Sequence, residues 1–327
     1  MTVPSLRSPT REGVLRAARK VAELLPPTPL LPLELPDGAT VWCKAEGLQP
    51  IGAFKIRGAW HRLTDLTDDE RRRGVVGVSS GNHAQGVAWA AKRLGVPATI
   101  VMPNDAPAVK LANTRALGAE VVLYDRPGGE DRDAIAEALC RAEGRVLVHA
   151  YGDPWVIEGQ GSIGMEIAAQ MAERAGGPPT RIVACCGGGG LTAGLALACP
   201  NAEVAPVEPE GWDDVCRSLE SGEIQRVDLA HAPPTACDAL QTPATRPINF
   251  AVLRERVRSW ARVGEAEVRA AQRYAFDKLH LVVEPGGAAA LAAVLAGKLP
   301  TDGRTAVTLS GGNADPQAFA RVLASAD

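Results

Sequence analysis

Short apolar runs alternate along this chain with longer segments whose apolar residues recur at helical spacing. That alternation is the mark of βαβ units laid on a parallel sheet. Residues 74–78, 98–102, 120–124 and 145–149 read as strands. Helical patterns over 82–94, over 107–117 with Pro107 suited to a first turn, and after Asp131 fall between them. The pattern then begins again: helix 158–173, strand 181–185, helix 191–198, strand 203–207. Helices over 265–278 and 285–295, a strand over 305–309 and a closing helix after Pro316 follow. Two α/β blocks with a cleft between them are the expected architecture. The Pro- and Ala-rich segment 223–245 is expected to be a long connection over the surface.

Open parallel sheets bind ligands at the carboxyl ends of their strands. Three polar or glycine-rich motifs begin just after a predicted strand: Ser79-Ser80-Gly81-Asn82-His83, Gly187-Gly188-Gly189-Gly190-Leu191 and Ser310-Gly311-Gly312-Asn313. Upstream of them Lys55 sits in the run Gly52-Ala53-Phe54-Lys55-Ile56-Arg57-Gly58-Ala59. A lysine between apolar neighbours is most often a surface residue, but it is also the group that holds an aldehyde. Four glycines at a helix start let backbone amides and the helix dipole close round a phosphate. The same loop fits a rival, since Gly188-x-Gly190-x-x-Ala193 with Glu208 about 20 residues on matches a dinucleotide fingerprint. On those residues alone an NAD-binding protein stands level with a phosphate-ester site. The loop's place after half the chain, and the work left for Lys55 and Ser310 to do, weigh against NAD. Ser80, taken alone, is an N-cap hydroxyl, and Glu208, Asp213 and Asp214, taken alone, are an acidic surface loop.

Composition narrows the partners. At 327 residues, 46% hydrophobic and 22% charged with a net charge of −3, the chain is an ordinary globular one with no basic footprint for nucleic acid or membrane. No apolar run approaches the roughly 20 residues that span a bilayer, and no apolar signal core opens the chain. The seven cysteines are odd in number and scattered, with no Cys-x-x-Cys, so a disulfide framework or zinc site is not indicated. A cytoplasmic location with reduced thiols is expected.

Taken in order, the four motifs resemble the pyridoxal-phosphate (PLP) enzymes of fold type II, the serine/threonine dehydratase and serine racemase family, over nearly the whole chain. The resemblance implies a tryptophan synthase beta-like fold of two parallel-sheet α/β domains with the active site between them. Residues 1–67 and 155–327 would form the large PLP-binding domain and 68–154 a small mobile one. It implies Lys55 and Ser80 as the catalytic pair on opposite faces of the substrate. It implies cofactor contacts from Phe54, Lys55, Asn82, Gly187, Gly188, Gly189, Gly190, Leu191 and Ser310, with Asn82 on the ring hydroxyl and Ser310 at the pyridine nitrogen. Ser79, Ser80, Gly81, His83 and Ala84 would lie along the substrate carboxylate, and Arg132 and Thr242 would approach the substrate. Glu208, the carbonyl of Trp212 and Asp214 would hold Mg²⁺ or Ca²⁺. Ala53 stands where the family usually has serine, a departure that touches local packing and leaves Lys55 in place. The activity implied is PLP-dependent β-elimination from a 3-hydroxy amino acid such as L-threonine or L-serine, with serine racemisation or 3-hydroxyaspartate dehydration as alternatives. A homodimer acting on a free amino acid, without the regulatory domain of biosynthetic threonine dehydratases, is expected.

Overall fold

The computed structural model describes residues 7–79, 81–106, 108–125 and 128–325. The chain opens with α1 (Arg11–Ala22), β1 (Leu30–Glu34), β2 (Thr40–Ala45) and α2 (Lys55–Thr64). It continues through α3 (Asp68–Arg73), β3 (Val75–Val78), α4 (Asn82–Leu94), β4 (Ala98–Pro103), α5 (Ala108–Ala116), β5 (Glu120–Tyr124), α6 (Arg132–Glu143) and β6 (Val146–Val148). Then come α7 (Pro154–Arg174), β7 (Arg181–Cys185), α8 (Gly190–Ala198), β8 (Glu203–Pro209), α9 (Asp214–Ser221), α10 (Pro247–Arg256) and β9 (Ala261–Val263). The last elements are α11 (Glu265–Leu279), α12 (Pro285–Leu295), β10 (Thr305–Leu309) and α13 (Pro316–Ala324).

The strands form two sheets, one of six in the order β1-β2-β10-β7-β8-β9 and one of four in the order β5-β4-β3-β6. All pairs are parallel except β1 with β2, where Leu30 faces Lys44. The four-stranded sheet is drawn from one contiguous stretch, whereas the six-stranded sheet takes strands from both sides of it. Every residue of β4 is buried, as expected of a parallel strand covered on both faces. Five predicted elements, α4, β5, β7, α12 and β10, have the bounds read from their hydrophobic pattern.

Other elements carry no such pattern. In α3, Asp68–Arg73, no residue is buried, and the helix is held by a capping box between Thr67 and Glu70. β1 is an edge strand that tolerates Pro32. α7 begins four residues before the pattern suggested, because Asp153 caps it by accepting from the amides of Trp155 and Val156, with Pro154 in the first turn. Segment 223–245 has only a short 3-10 turn at Asp238–Leu240. It is not purely a surface connection, since Cys237, Leu240 and Thr242 are buried; composition alone could not reveal that its second half folds inward.

α7 runs through the centre of the molecule against α1, α2 and α8. Glycines make that possible. A Cβ on Gly159 would stand 2.5 Å from Gly58 Cα, and one on Gly194 would stand 2.6 Å from the Gly161 amide. Behind α2, Arg57 is fully buried and is bound by two carboxylates, Nε to Glu46 at 2.8 Å and Nη1 to Glu166 at 2.6 Å. Lys44 joins the same cluster through Glu166 at 2.6 Å. Among the described residues no helix is long and apolar enough to cross a membrane.

Candidate active site

Lys55 is the first residue of α2, and the chain just before it is docked onto the Ser310 motif. Ala53 bridges Gly311, and the Phe54 amide donates to the Ser310 carbonyl at 3.1 Å. This delivers Lys55 to a cleft of about 1030 Å³, counted with its open mouth, between the two sheets. Its Nζ donates to the Ala150 carbonyl at 2.8 Å and lies 5.1 Å from the centre of the Phe54 ring. Burial lowers its pKa to about 8, because a charged ammonium is disfavoured away from water.

The turn between β3 and α4 forms a second wall. The Gly81 amide donates to Ser79 Oγ at 3.1 Å, and Asn82 and His83 open the helix. Ser80 lies outside the described residues. Both ends of the Asn82 amide are engaged: Nδ2 donates to Glu284 Oε1 at 2.6 Å and Oδ1 accepts from Asn313 Nδ2 at 2.8 Å. His83 is buried, and its Nε2 donates to the Val148 carbonyl at 2.8 Å. Burial, reinforced by the nearby charge of Lys55, pushes its pKa down to about 3, so the ring is neutral. Any grip of this residue on a carboxylate therefore falls to its main chain at the helix start rather than to an imidazolium.

The glycine loop joins β7 to α8 and forms the floor. Gly189 has φ 85°, a left-handed conformation that favours glycine. A Cβ on Gly188 would meet the Tyr151 ring at 2.3 Å, and one on Gly187 would meet Thr242 Oγ1 at 2.9 Å. The amides of Gly187, Gly188 and Gly189 have no hydrogen-bond partner among the described residues, and they precede a helix N-terminus. Such a cradle fits a phosphate. Ser310, at the end of β10, is 4% exposed and accepts a hydrogen bond at Oγ from the Cys185 thiol, 3.1 Å away.

Phe54, Leu191, Arg132 and Thr242 line the same cleft, as do the glycines, Ser79, Gly81, Asn82, His83 and Ser310. Arg132 stands at the rim, its Nε 3.9 Å from the Asp133 carboxylate. Glu208, Trp212 and Asp214 do not line it. Glu208 accepts from the amides of Val215 and Cys216, and Asp214 Oδ2 accepts from the Thr245 amide. Burial raises both carboxyls, Asp214 to about 7 and Glu208 well above its usual range, with the Asp214 charge adding to the latter. Asp214 Oδ1 is buried with no partner, an orphaned oxygen that fits a cation. The main-chain amide of Trp212 donates to the Pro209 carbonyl. Among the described residues no group of three or more His, Cys, Asp or Glu side chains could hold a metal ion, so a third ligand there would have to be main chain.

Several cleft residues escaped the sequence reading. Glu284, which holds Asn82, is pushed up to about 7 by burial; its only local signal is the Glu-Pro step that opens α12. Lys110 of α5 pairs with Asp238 at 2.6 Å across the cleft. Tyr151 packs against the glycine loop and donates its hydroxyl to the Ala244 carbonyl. Of the other histidines, His61 sits buried by Glu158 and His149 accepts the amides of Tyr151 and Gly152.

The family described as pyridoxal-phosphate dependent enzyme has a model that matches residues 21–311. The chain belongs to this family. An L-threo-3-hydroxyaspartate ammonia-lyase from Pseudomonas sp is 39% identical over 95% of this chain and 97% of its own length. A serine racemase from Schizosaccharomyces pombe is 36% identical, over 96% of this chain and 97% of its own. The crystal structure of a T.th. threonine deaminase superposes with a TM-score of 0.85 at 44% identity, covering 94% of this chain and 99% of that one. The fold is accordingly the fold type II PLP architecture, and the cofactor is pyridoxal phosphate. The cleft fits it: an amine that loses its proton readily for the aldehyde, three unpaired amides before a helix for the phosphate, and polar strand ends for the ring. The dinucleotide reading of the glycine loop falls away with the family, and the loop follows β7 rather than a first βαβ unit.

Proposed function

We propose that this chain is a PLP-dependent ammonia-lyase that eliminates the β-hydroxyl of a 3-hydroxy amino acid, such as L-threonine or L-serine, and yields a 2-oxo acid and ammonia. The observation that carries the reading is that Lys55, buried with its pKa lowered to about 8, lines the same cavity as the glycine cradle. Bound pyridoxal phosphate supplies an electron sink for charge developing at the substrate Cα. Lys55, whose burial favours the neutral amine, takes the Cα proton. The amides of Gly187, Gly188, Gly189, Gly190 and Leu191 hold the phosphate. Asn82 would hold the ring hydroxyl and Ser310 the ring nitrogen, and Phe54 would line the ring's pocket. Ser79, Gly81 and His83 receive the substrate carboxylate through the start of α4, with Arg132 and Thr242 toward its side chain.

Arg132 gives a 3-hydroxyaspartate substrate its foothold, and an ammonia-lyase for that substrate is among the relatives. Racemisation of serine needs a proton donor on the face opposite Lys55, the role we assign to Ser80. A panel of 3-hydroxy amino acids assayed for 2-oxo acid release ranks the substrates. Lys55→Ala should abolish that release and the absorption band of the lysine-bound cofactor while the protein stays folded. Retained release in this variant would sink the mechanism.

We assign residues 1–67 with 155–327 to a large domain and 68–154 to a small mobile one; the partition of the strands into two sheets supports this. We also assign Mg²⁺ or Ca²⁺ to Glu208, Asp214 and the Trp212 carbonyl, on the strength of the unpartnered Asp214 oxygen. EDTA should then lower the melting temperature and added Mg²⁺ restore it; no response to either, with Asp214→Ala silent, would remove the cation. A cytoplasmic homodimer is the form we expect, the seven free cysteines being consistent with a reducing compartment.

A further inference from the structure

The Cys185 thiol and the Ser310 hydroxyl meet at the ends of neighbouring parallel strands. In the β10–β7 register Val307 lies opposite Val183, so continuing the two strands sets Cys185 level with Leu309 and Ser310 one residue beyond, close enough at the cleft for their side chains to meet. The sulfur is 3.1 Å from Ser310 Oγ. In this contact the thiol donates and the hydroxyl oxygen accepts. We propose that Cys185 is a positioning residue that turns the Ser310 hydroxyl into an outward hydrogen-bond donor toward the unprotonated nitrogen of the cofactor ring. The proposal rests on the reading that Ser310 faces that nitrogen.

Three features lead there. Ser310 is 4% exposed and lines the cleft. Apart from the thiol, Ser310 Oγ has no hydrogen-bond partner among the described residues, so its own proton must find an acceptor in the cavity. An unprotonated pyridine nitrogen is such an acceptor. A protonated one could only donate to the oxygen and would leave the Ser310 proton buried without a partner, which is costly. Burial also raises the thiol pKa to about 11, so Cys185 keeps its proton across the neutral range. Nothing local announces this pairing in the sequence, where Cys185 reads as one more apolar position at a strand end.

The experiment uses the full chain loaded with pyridoxal phosphate labelled with ¹⁵N in the ring. The nitrogen shift should report the unprotonated form near pH 7 in the native protein and in Cys185→Ser, which keeps a donor. In Cys185→Ala the cofactor's Kd should rise about 3- to 10-fold, the effect of one neutral hydrogen bond. That loss should vanish when the same change is made in Ser310→Ala, because the thiol acts only through the hydroxyl. A protonated nitrogen in the native protein overturns the proposal, and so does an equal cost of Cys185→Ala in both backgrounds. If Ser310→Ala alone changes neither Kd nor shift, the ring-nitrogen reading fails and takes the proposal with it.

Discussion

Lys55 differs from an ordinary lysine in where its charge would have to sit. Its burial lowers the pKa from 10.5 to about 8, so the neutral amine is gained as pH rises through 8. The rate at which cofactor-free protein captures pyridoxal phosphate should therefore climb with pH, with a midpoint near 8; a midpoint close to 10.5 would mean that the amine is solvated. Single residues were legible wherever their chemistry is written locally. Lys55, Asn82, the four glycines and Ser310 each sit in a short run whose residue types and place after a strand announce a ligand. Glu284, Asp238 and Cys185 were not legible, because each matters through a partner far away in sequence. Asn82 and Glu284 are 202 positions apart, and no local pattern reports such a contact. His83 shows the intermediate case: its motif marked it, but only the Val148 carbonyl reveals which form its ring takes.

Elements were readable in proportion to the face they bury. α4 and β10 have buried, periodic positions and were bounded correctly, while α3 buries nothing and left no pattern. α9 and β9 are short pieces of eight and three residues that fall below what periodicity resolves. The glycines of α7 could be seen but their purpose could not, since a close helix approach is a property of two elements at once. Gly159 stands against Gly58, and an added methyl would come within 2.5 Å of the neighbour's Cα and 2.7 Å of the Arg57 carbonyl. Because both obstacles are backbone, no side-chain rotation relieves them. Gly159→Ala should destabilise the protein by about 1–3 kcal/mol in denaturant unfolding, the usual cost of overpacking, partly offset by alanine's better helix propensity. An unchanged midpoint would show that α7 can shift away from α2. Such a shift would also move Lys55, at the head of α2, so cofactor affinity should fall in parallel.

At the scale of the molecule, among the described residues, the cleft is spanned by two ion pairs that tie the four-stranded sheet's helices to the other side. Lys110 of α5 meets Asp238 at 2.6 Å, and Asp133 of α6 meets Arg246 at 3.3 Å. Asp238 is about half exposed, so screening limits the pair's worth to well under about 1 kcal/mol of global stability. Its effect is expected in local motion instead. Asp238→Asn should leave the unfolding midpoint nearly unchanged while speeding amide exchange in α5, as added salt should do in the native protein. If exchange in α5 stays the same, the pair does not restrain opening. Two α/β blocks and a cleft could be foreseen from the alternation of strand and helix, but which residues reach across could not. The order of strands in the larger sheet has a further consequence for a chain being made from its N-terminus. β2 lies beside β10, so two of the earliest strands wait for nearly the last residues to leave the ribosome. The four-stranded unit can assemble from its own contiguous stretch long before that, as domains commonly do during synthesis. During that interval β2 has an open edge, and Lys55 stands ready with no Ser310 strand to dock against. A polypeptide released before β10 would hold one finished lobe and half a binding site.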